Sequence, residues 1–201
     1  MAIKDKKMAQ ILQAATLEFL QKGLDASSMH NIAELAEVSK RTLYKYFPTK
    51  DKLYGALVDE LLDRVYDHKP SYSPEKSIKN QLESIVNDKI DLYMSESFIN
   101  MSKIVLGEML KSRQPSDEQR ERMFNAEVLF IEWIDAAKAD EKINFEVSSD
   151  VIASQFHSIL KGQTFYPVIF YFTDIEMINK KDVCDMTVNF FLNSFCSNGE
   201  Q

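Results

Sequence analysis

Five residues crowded into one short segment carry chemistry suited to a polyanion. In Lys40-Arg41-Thr42-Leu43-Tyr44-Lys45-Tyr46-Phe47, Leu43 and Phe47 stand four apart. In a helix they share one face, which must turn to a core. Lys40, Arg41, Thr42, Tyr44 and Lys45 are then left on the outside. Three cations, a hydroxyl and a phenol make a surface matched to phosphate oxygens and base edges.

The flanking residues predict how that surface is held. Ser39 caps the segment, and Pro48 ends it, because the residue before a proline avoids the α region. Ser28 caps a preceding short helix, Met29–Glu37, with Ile32, Leu35 and Ala36 inward. The two short helices meet at a tight turn, Glu37-Val38-Ser39, in the layout of a helix-turn-helix. There the first helix braces the backbone and the second lies in the major groove. Upstream, Met8, Ile11, Leu12, Ala15, Phe19 and Leu20 share one face of a helix over 6–22, and Gly23 supplies its stop. Thr49 caps a helix over 50–68, with Leu53, Leu57, Leu61 and Val65 at steps of four. Pro70 and Pro74 mark a linker. Further helices are predicted at 75–95, 97–113, 117–139, 149–170 and 175–196, with Pro167 kinking or ending the fourth of them. The expected fold is all-α, with about nine helices: a three-helix domain over 1–53, continuing into a linking helix over 49–68, and a larger helical domain over 69–201.

The charge is uneven. Residues 1–52 hold nine Lys/Arg against six Asp/Glu, a net of +3. The whole chain is −7, so the remainder carries −10. A basic head on an acidic body suits an N-terminus that meets a polyanion. The 201 residues, 45% hydrophobic and 27% charged, are ordinary for a globular protein and exclude a mostly disordered chain or a disulfide scaffold. No apolar run reaches the length of a membrane span, and Met1 to Lys7 lacks the apolar segment of a secretory signal, so a cytoplasmic protein with no membrane partner is expected. Cys184 and Cys196 lie too far apart in one predicted helix to bridge, and are read as reduced thiols. His30, His68 and His157 are scattered, with no cysteine or histidine cluster at metal spacing. There is no phosphate-cradling glycine loop and no G-x-S-x-G elbow. No metal, no cofactor and no enzymatic activity are expected.

The stretch Ile11-Leu12-Gln13-Ala14-Ala15, Phe19, Gly23, Ser28, Ile32-Ala33, Ala36-Glu37-Val38-Ser39 and Thr42-Leu43-Tyr44-Lys45-Tyr46-Phe47-Pro48-Thr49-Lys50-Asp51-Lys52-Leu53 resembles the DNA-binding domain of TetR-family transcriptional regulators. The resemblance covers about 6–53 and fixes about a dozen positions without gaps. It implies that Tyr44, Tyr46, Lys50 and Ser28 hold phosphates, and that Lys40, Arg41, Thr42 and Lys45 read bases in double-stranded operator DNA. Two positions depart from the family pattern. Glu37 stands where glycine is usual, at a cost of about 1–2 kcal/mol if the site is left-handed. Arg41 stands where a small residue is frequent, and adds a donor fork that fits guanine O6 and N7.

For the body, the resemblance implies an all-helical ligand-binding and dimerisation domain. The middle helices would wall a pocket for a small-molecule effector, and the last two long helices would pair with a second copy. A homodimer also follows from docking, since one short helix reads only a few base pairs. Polar residues on apolar faces are candidates for ligand contact: Glu108, Asn125, Glu127, His157 and Gln163. Met101, Val105, Phe124, Phe130 and Trp133 are the apolar candidates. Ile152, Phe156, Ile159, Val183, Thr187, Phe190 and Phe191 are the candidates for the dimer face. The function expected is that of a repressor released from a palindromic operator by a lipophilic or aromatic ligand. The alternative is a regulator with no small ligand, controlled by a protein partner.

Overall fold

The computed structural model describes residues 3–67, 69–125, 128–143 and 146–196, with side chains from Lys6 onward and without that of Phe124. Among these residues every regular element is helical. The chain forms two compact units, one of residues 1–63 and 100–120, the other of 64–99 and 121–201.

In the first unit, α1 (Ile3–Ala26) is interrupted at Gly23, whose φ of 74° and ψ of 163° are not helical. This is the predicted stop, and a side chain would be strained there. Helices α2 (Met29–Leu35), α3 (Lys40–Tyr46) and α4 (Lys50–Tyr66) follow. Ser28 caps α2 by accepting from the His30 amide, and Ser39 caps α3 by accepting from that of Thr42. Phe47, extended before Pro48, closes α3. Ile11, Ala15, Phe19, Leu24, Ile32, Leu43, Leu53, Leu57 and Val58 are buried as the core of this unit. Met8, Leu20 and Leu35 are exposed instead of inward. The short α2 buries only Ile32 and Ala33 along its length, so Leu35 falls past the contact.

The unit also takes in the second part of α6 (Glu96–Leu110) and the start of α7 (Asp117–Asn125). Gln119 fixes this segment to α4, donating through Nε2 to the Gly55 carbonyl at 3.0 Å and to Asp59 Oδ1 at 2.9 Å. This unit therefore runs through most of α4, the linking helix, and takes in residues 100–120 as well. Sequence order does not show which unit a middle helix joins.

The second unit is built on α5 (Ile78–Tyr93), α8 (Val128–Ala139), α9 (Ser149–Gln163), α10 (Phe165–Ile169) and α11 (Lys180–Phe195). Helix α11 packs on α5 and α9, and α9 on α8 and α10. Its core is aromatic. Phe130 and Trp133 stack at 5.5 Å with 8° between their planes, and Phe156 and Phe191 meet Phe130 at 4.4 and 6.3 Å. The helix expected over 149–170 breaks at Thr164, whose Oγ1 donates to the Leu160 carbonyl at 2.7 Å. Pro167 then sits in the first turn of α10, where its missing N–H leaves no bond unmade; a helix running on past Gln163 would have needed that N–H for the Gln163 carbonyl, so the break falls where the proline requires it. The helix expected from 175 is a 3₁₀ turn at Ile175–Met177, followed by α11, which Asn179 caps.

Candidate nucleic-acid interface

Helix α3 is anchored by Leu43 and, at its C-cap, by Phe47, both buried, and is open around the rest. Leu43 is fully buried, while Lys40, Arg41, Tyr44 and Lys45 are exposed and Tyr46 is half-buried. Tyr44, 49% exposed, is thus presented outward and is not a packing tyrosine. The Thr42 hydroxyl lies 2.8 Å from Ser39 Oγ, which fixes its rotamer within the cap. Glu37 has a φ of 51°, so the turn is left-handed and carries the strain foreseen for a residue other than glycine.

Two of the predicted phosphate-holding residues have structural tasks as well. Ser28 Oγ uses a lone pair on the His30 amide at 3.1 Å, which leaves its proton for an outside acceptor. Lys50 Nζ donates to the carbonyls of Asp25 at 2.7 Å and Ser27 at 3.1 Å. The ammonium thus ties the end of α1 to the start of α4, with one of its three donors to spare.

Glu18, which the motif does not single out, holds the brace helix in place. It is buried, and its Oε1 accepts from the Ser28 amide at 3.1 Å, from Asn31 Nδ2 at 3.2 Å and from Lys22 Nζ at 3.0 Å. Burial pushes its pKa up, but these hydrogen bonds outweigh that, and the carboxyl titrates below its ordinary value. The sequence carries a signal for it: Glu18 lies three and four residues beyond Ala15 and Ala14, on the buried stripe. Arg113 has no such signal. From beyond the end of α6 it reaches Glu108 Oε2 at 3.2 Å, Asp51 Oδ1 at 2.5 Å and Asp25 Oδ1 at 3.2 Å.

The residues expected to line a ligand pocket divide between the two units. Met101, Val105 and Glu108 are buried in the first, and Phe130, Trp133 and His157 in the second. Glu127 and the Phe124 side chain lie outside the described residues. Glu108 is not waiting for a cation: Lys111 Nζ binds its Oε1 at 2.9 Å and Arg113 binds its Oε2. Trp133 Nε1 reaches Gln81 Oε1 at only 3.4 Å, a long bond. Gln163 Nε2 donates to the Ile159 carbonyl and to Thr187 Oγ1, while Asn125 is exposed. His157 is buried between the Phe130 and Phe156 rings, and no described group makes a hydrogen bond to its Nδ1.

The dimer candidates fare unevenly. Ile152, Phe156, Thr187 and Phe191 are enclosed in their own protomer and Val183 nearly so, which leaves them no surface for a second chain. Ile159 is half-buried. Phe190 is exposed, as is Met186 one turn before it. The apolar period located the inner face of each helix, and the protomer's own core occupies it.

Residues 11–57 match the model of the tetR family of bacterial regulatory proteins, and residues 80–196 match that of the C-terminal domain of AefR-like transcriptional repressors. The HTH-type transcriptional regulator RutR of Escherichia coli K12 is 34% identical over 113 residues, covering 54% of this chain and 50% of that protein. The chain thus spans about half the length of this curated relative. The nucleoid occlusion factor SlmA of Pasteurella multocida is 22% identical over 167 residues, 80% of this chain and 81% of that one. A crystal structure of a TetR-family transcriptional regulator from Pseudomonas syringae is similar at a TM-score of 0.76 and 29% identity, covering 96% of this chain and 99% of that chain. The helix-turn-helix at one end and the repressor-type domain across more than half of the sequence place the chain in the TetR family of bacterial transcriptional regulators.

Proposed function

We propose that the protein is a cytoplasmic, homodimeric repressor. It binds a palindromic operator through α3 of each protomer and leaves it when a small lipophilic or aromatic ligand binds the C-terminal domain. The observation that carries this reading is the outer face of α3, where Lys40, Arg41, Tyr44 and Lys45 are open opposite the buried Leu43 and Phe47. The match to an AefR-like repressor domain supports the direction of control. Consistent with the proposed location, no described helix is long and apolar enough to cross a membrane. Release is a shift of population: taking the equilibrium from 1:99 to 99:1 needs about 5.5 kcal/mol of preference for the state that does not bind DNA.

Selection of binding sites from random duplex DNA, followed by footprinting, tests the reading. A two-fold symmetric sequence should be enriched. Arg41→Ala should relax preference at one or two positions of each half-site, by about 1–3 kcal/mol each. Identical preferences for the two proteins would make Arg41 a bystander. Lys50→Ala should weaken all duplexes about equally. Its spare donor on a phosphate predicts a salt slope smaller by about one. An unchanged slope would leave Lys50 with its two carbonyls as its only task.

Control by a protein partner is the second reading. It draws on the exposed ring series Tyr166, Phe170 and Phe172, whose neighbouring centroids lie 6.4 and 6.0 Å apart. Large contiguous apolar surface commonly marks an interaction site. Heat-stability shifts across a panel of lipophilic compounds separate the two. A stabilising compound that also releases DNA supports the ligand, and a uniformly silent panel supports the partner.

A further inference from the structure

Arg113 lies sixty residues beyond the DNA-binding motif, yet it is bonded to both sides of it. Asp25 stands in the last turn of α1, two residues before Ser27 and three before Ser28. Asp51 opens α4 beside Lys50. The Arg113 guanidinium holds both carboxylates through its NH2 and NH1 groups, while its Nε holds the buried Glu108 on α6. Lys50 joins the same two segments from the other side, through the Asp25 and Ser27 carbonyls. The segments that carry Ser28 and Lys50 are therefore pinned to each other twice, and one of the pins belongs to the end of α6.

Tyr54 on α4 is buried, and its Oη has no hydrogen bond among the described residues. It lies within the fields of Glu108 and Arg113, and burial together with the Glu108 charge raises the phenol to about 12. Both oxygens of Glu108 are occupied by Lys111 and Arg113.

We propose that Arg113 is a positioning residue for DNA binding: its fork sets the distance between the Ser28 and Lys50 segments and makes that distance depend on the end of α6. The proposal rests on the DNA-binding reading above. It does not require Arg113 to touch DNA. What it requires is the planar fork, since Arg113 meets the three carboxylates through three separate nitrogens, whereas an ammonium offers its donors from a single atom.

The test compares wild type with Arg113→Ala and Arg113→Lys on the duplex that wild type selects from random DNA. Affinity, its salt slope and amide hydrogen exchange at residues 25–28 are measured. The alanine variant should bind about fivefold more weakly, the scale of a small ion-pair network. Its salt slope should be unchanged and its exchange at 25–28 faster. The lysine variant should fall between alanine and wild type on both measures, although it keeps the charge. Lysine equal to wild type in affinity and exchange would overturn the proposal, because charge alone would then suffice. A salt slope lower by one in the alanine variant would also overturn it, because Arg113 would be a phosphate contact. If the alanine variant does not fold, the lysine variant decides by the same criteria. Failure of wild type to select any duplex would instead overturn the DNA-binding reading itself.

Discussion

Replacing Met186 and Phe190 together by aspartate is expected to give monomers that lose operator DNA by about 10²-fold or more while keeping their helix content. The two side chains are 63% and 41% exposed and stand four apart on α11, so they share one face. The opposite face, with Val183, Thr187, Val188 and Phe191, is already spent on α5 and α9 of the same protomer. Two carboxylates in the centre of an apolar interface would be desolvated without partners, which a dimer of ordinary size does not survive. The fold should tolerate them, because in the free protomer both sites face water. A control distinguishes this from simple unfolding. Phe191→Asp puts a charge at a position 1% exposed, against Phe130, Trp133 and Phe156, and should destroy the body outright. Sedimentation of the Met186/Phe190 variant as an intact dimer would move the interface off this face of α11.

The second large effect is acid sensitivity centred on His157. Burial, reinforced by the positive charges of Lys89 and Lys161, lowers its imidazole from 6.5 to about 3. The folded protein therefore keeps His157 neutral over a range where the unfolded chain protonates it. Stability from this group is complete above pH 6.5 and falls as pH drops from 6.5 towards 3. The loss is about 1.4 kcal/mol per unit, or about 2 kcal/mol by pH 5. Denaturant titrations at pH 7 and pH 5 measure it. His157→Gln should cost stability at both values but lose about 2 kcal/mol less than wild type between them. Equal losses in the two proteins would mean that the native state protonates His157 without penalty, and hence that water or a polar group reaches its Nδ1.

The helix ends of the head were legible in the sequence, and the reason is local. The caps Ser28 and Ser39, the break at Pro48 and the stop at Gly23 act through backbone geometry within a few residues. Their spacing therefore fixes short helices without reference to the rest of the chain. The left-handed turn at Glu37 had no such local signal; only the family resemblance, which places glycine there, pointed to it. Leu35 was misplaced because a seven-residue helix does not bury a full stripe, and how much it buries depends on what lies against it.

In the body the sequence determined which faces are apolar but not what covers them. A period of 3.6 marks Phe156 and Phe191 as inward, and cannot say whether inward means this protomer or a second one. The tertiary structure assigns them to an aromatic core that Phe130 and Trp133 complete from α8. It also decides the partners of buried charge. Glu108 reads as a carboxylate stranded on an apolar face until Arg113 folds back to it, and Glu18 as one more helical acid until Ser28 and Asn31 arrive from the next helix. Hydrophobic burial is written in the chain because it depends on one side chain at a time. The pairing of buried polar groups depends on two segments meeting, and only the folded chain brings them within the 3 Å at which a hydrogen bond forms.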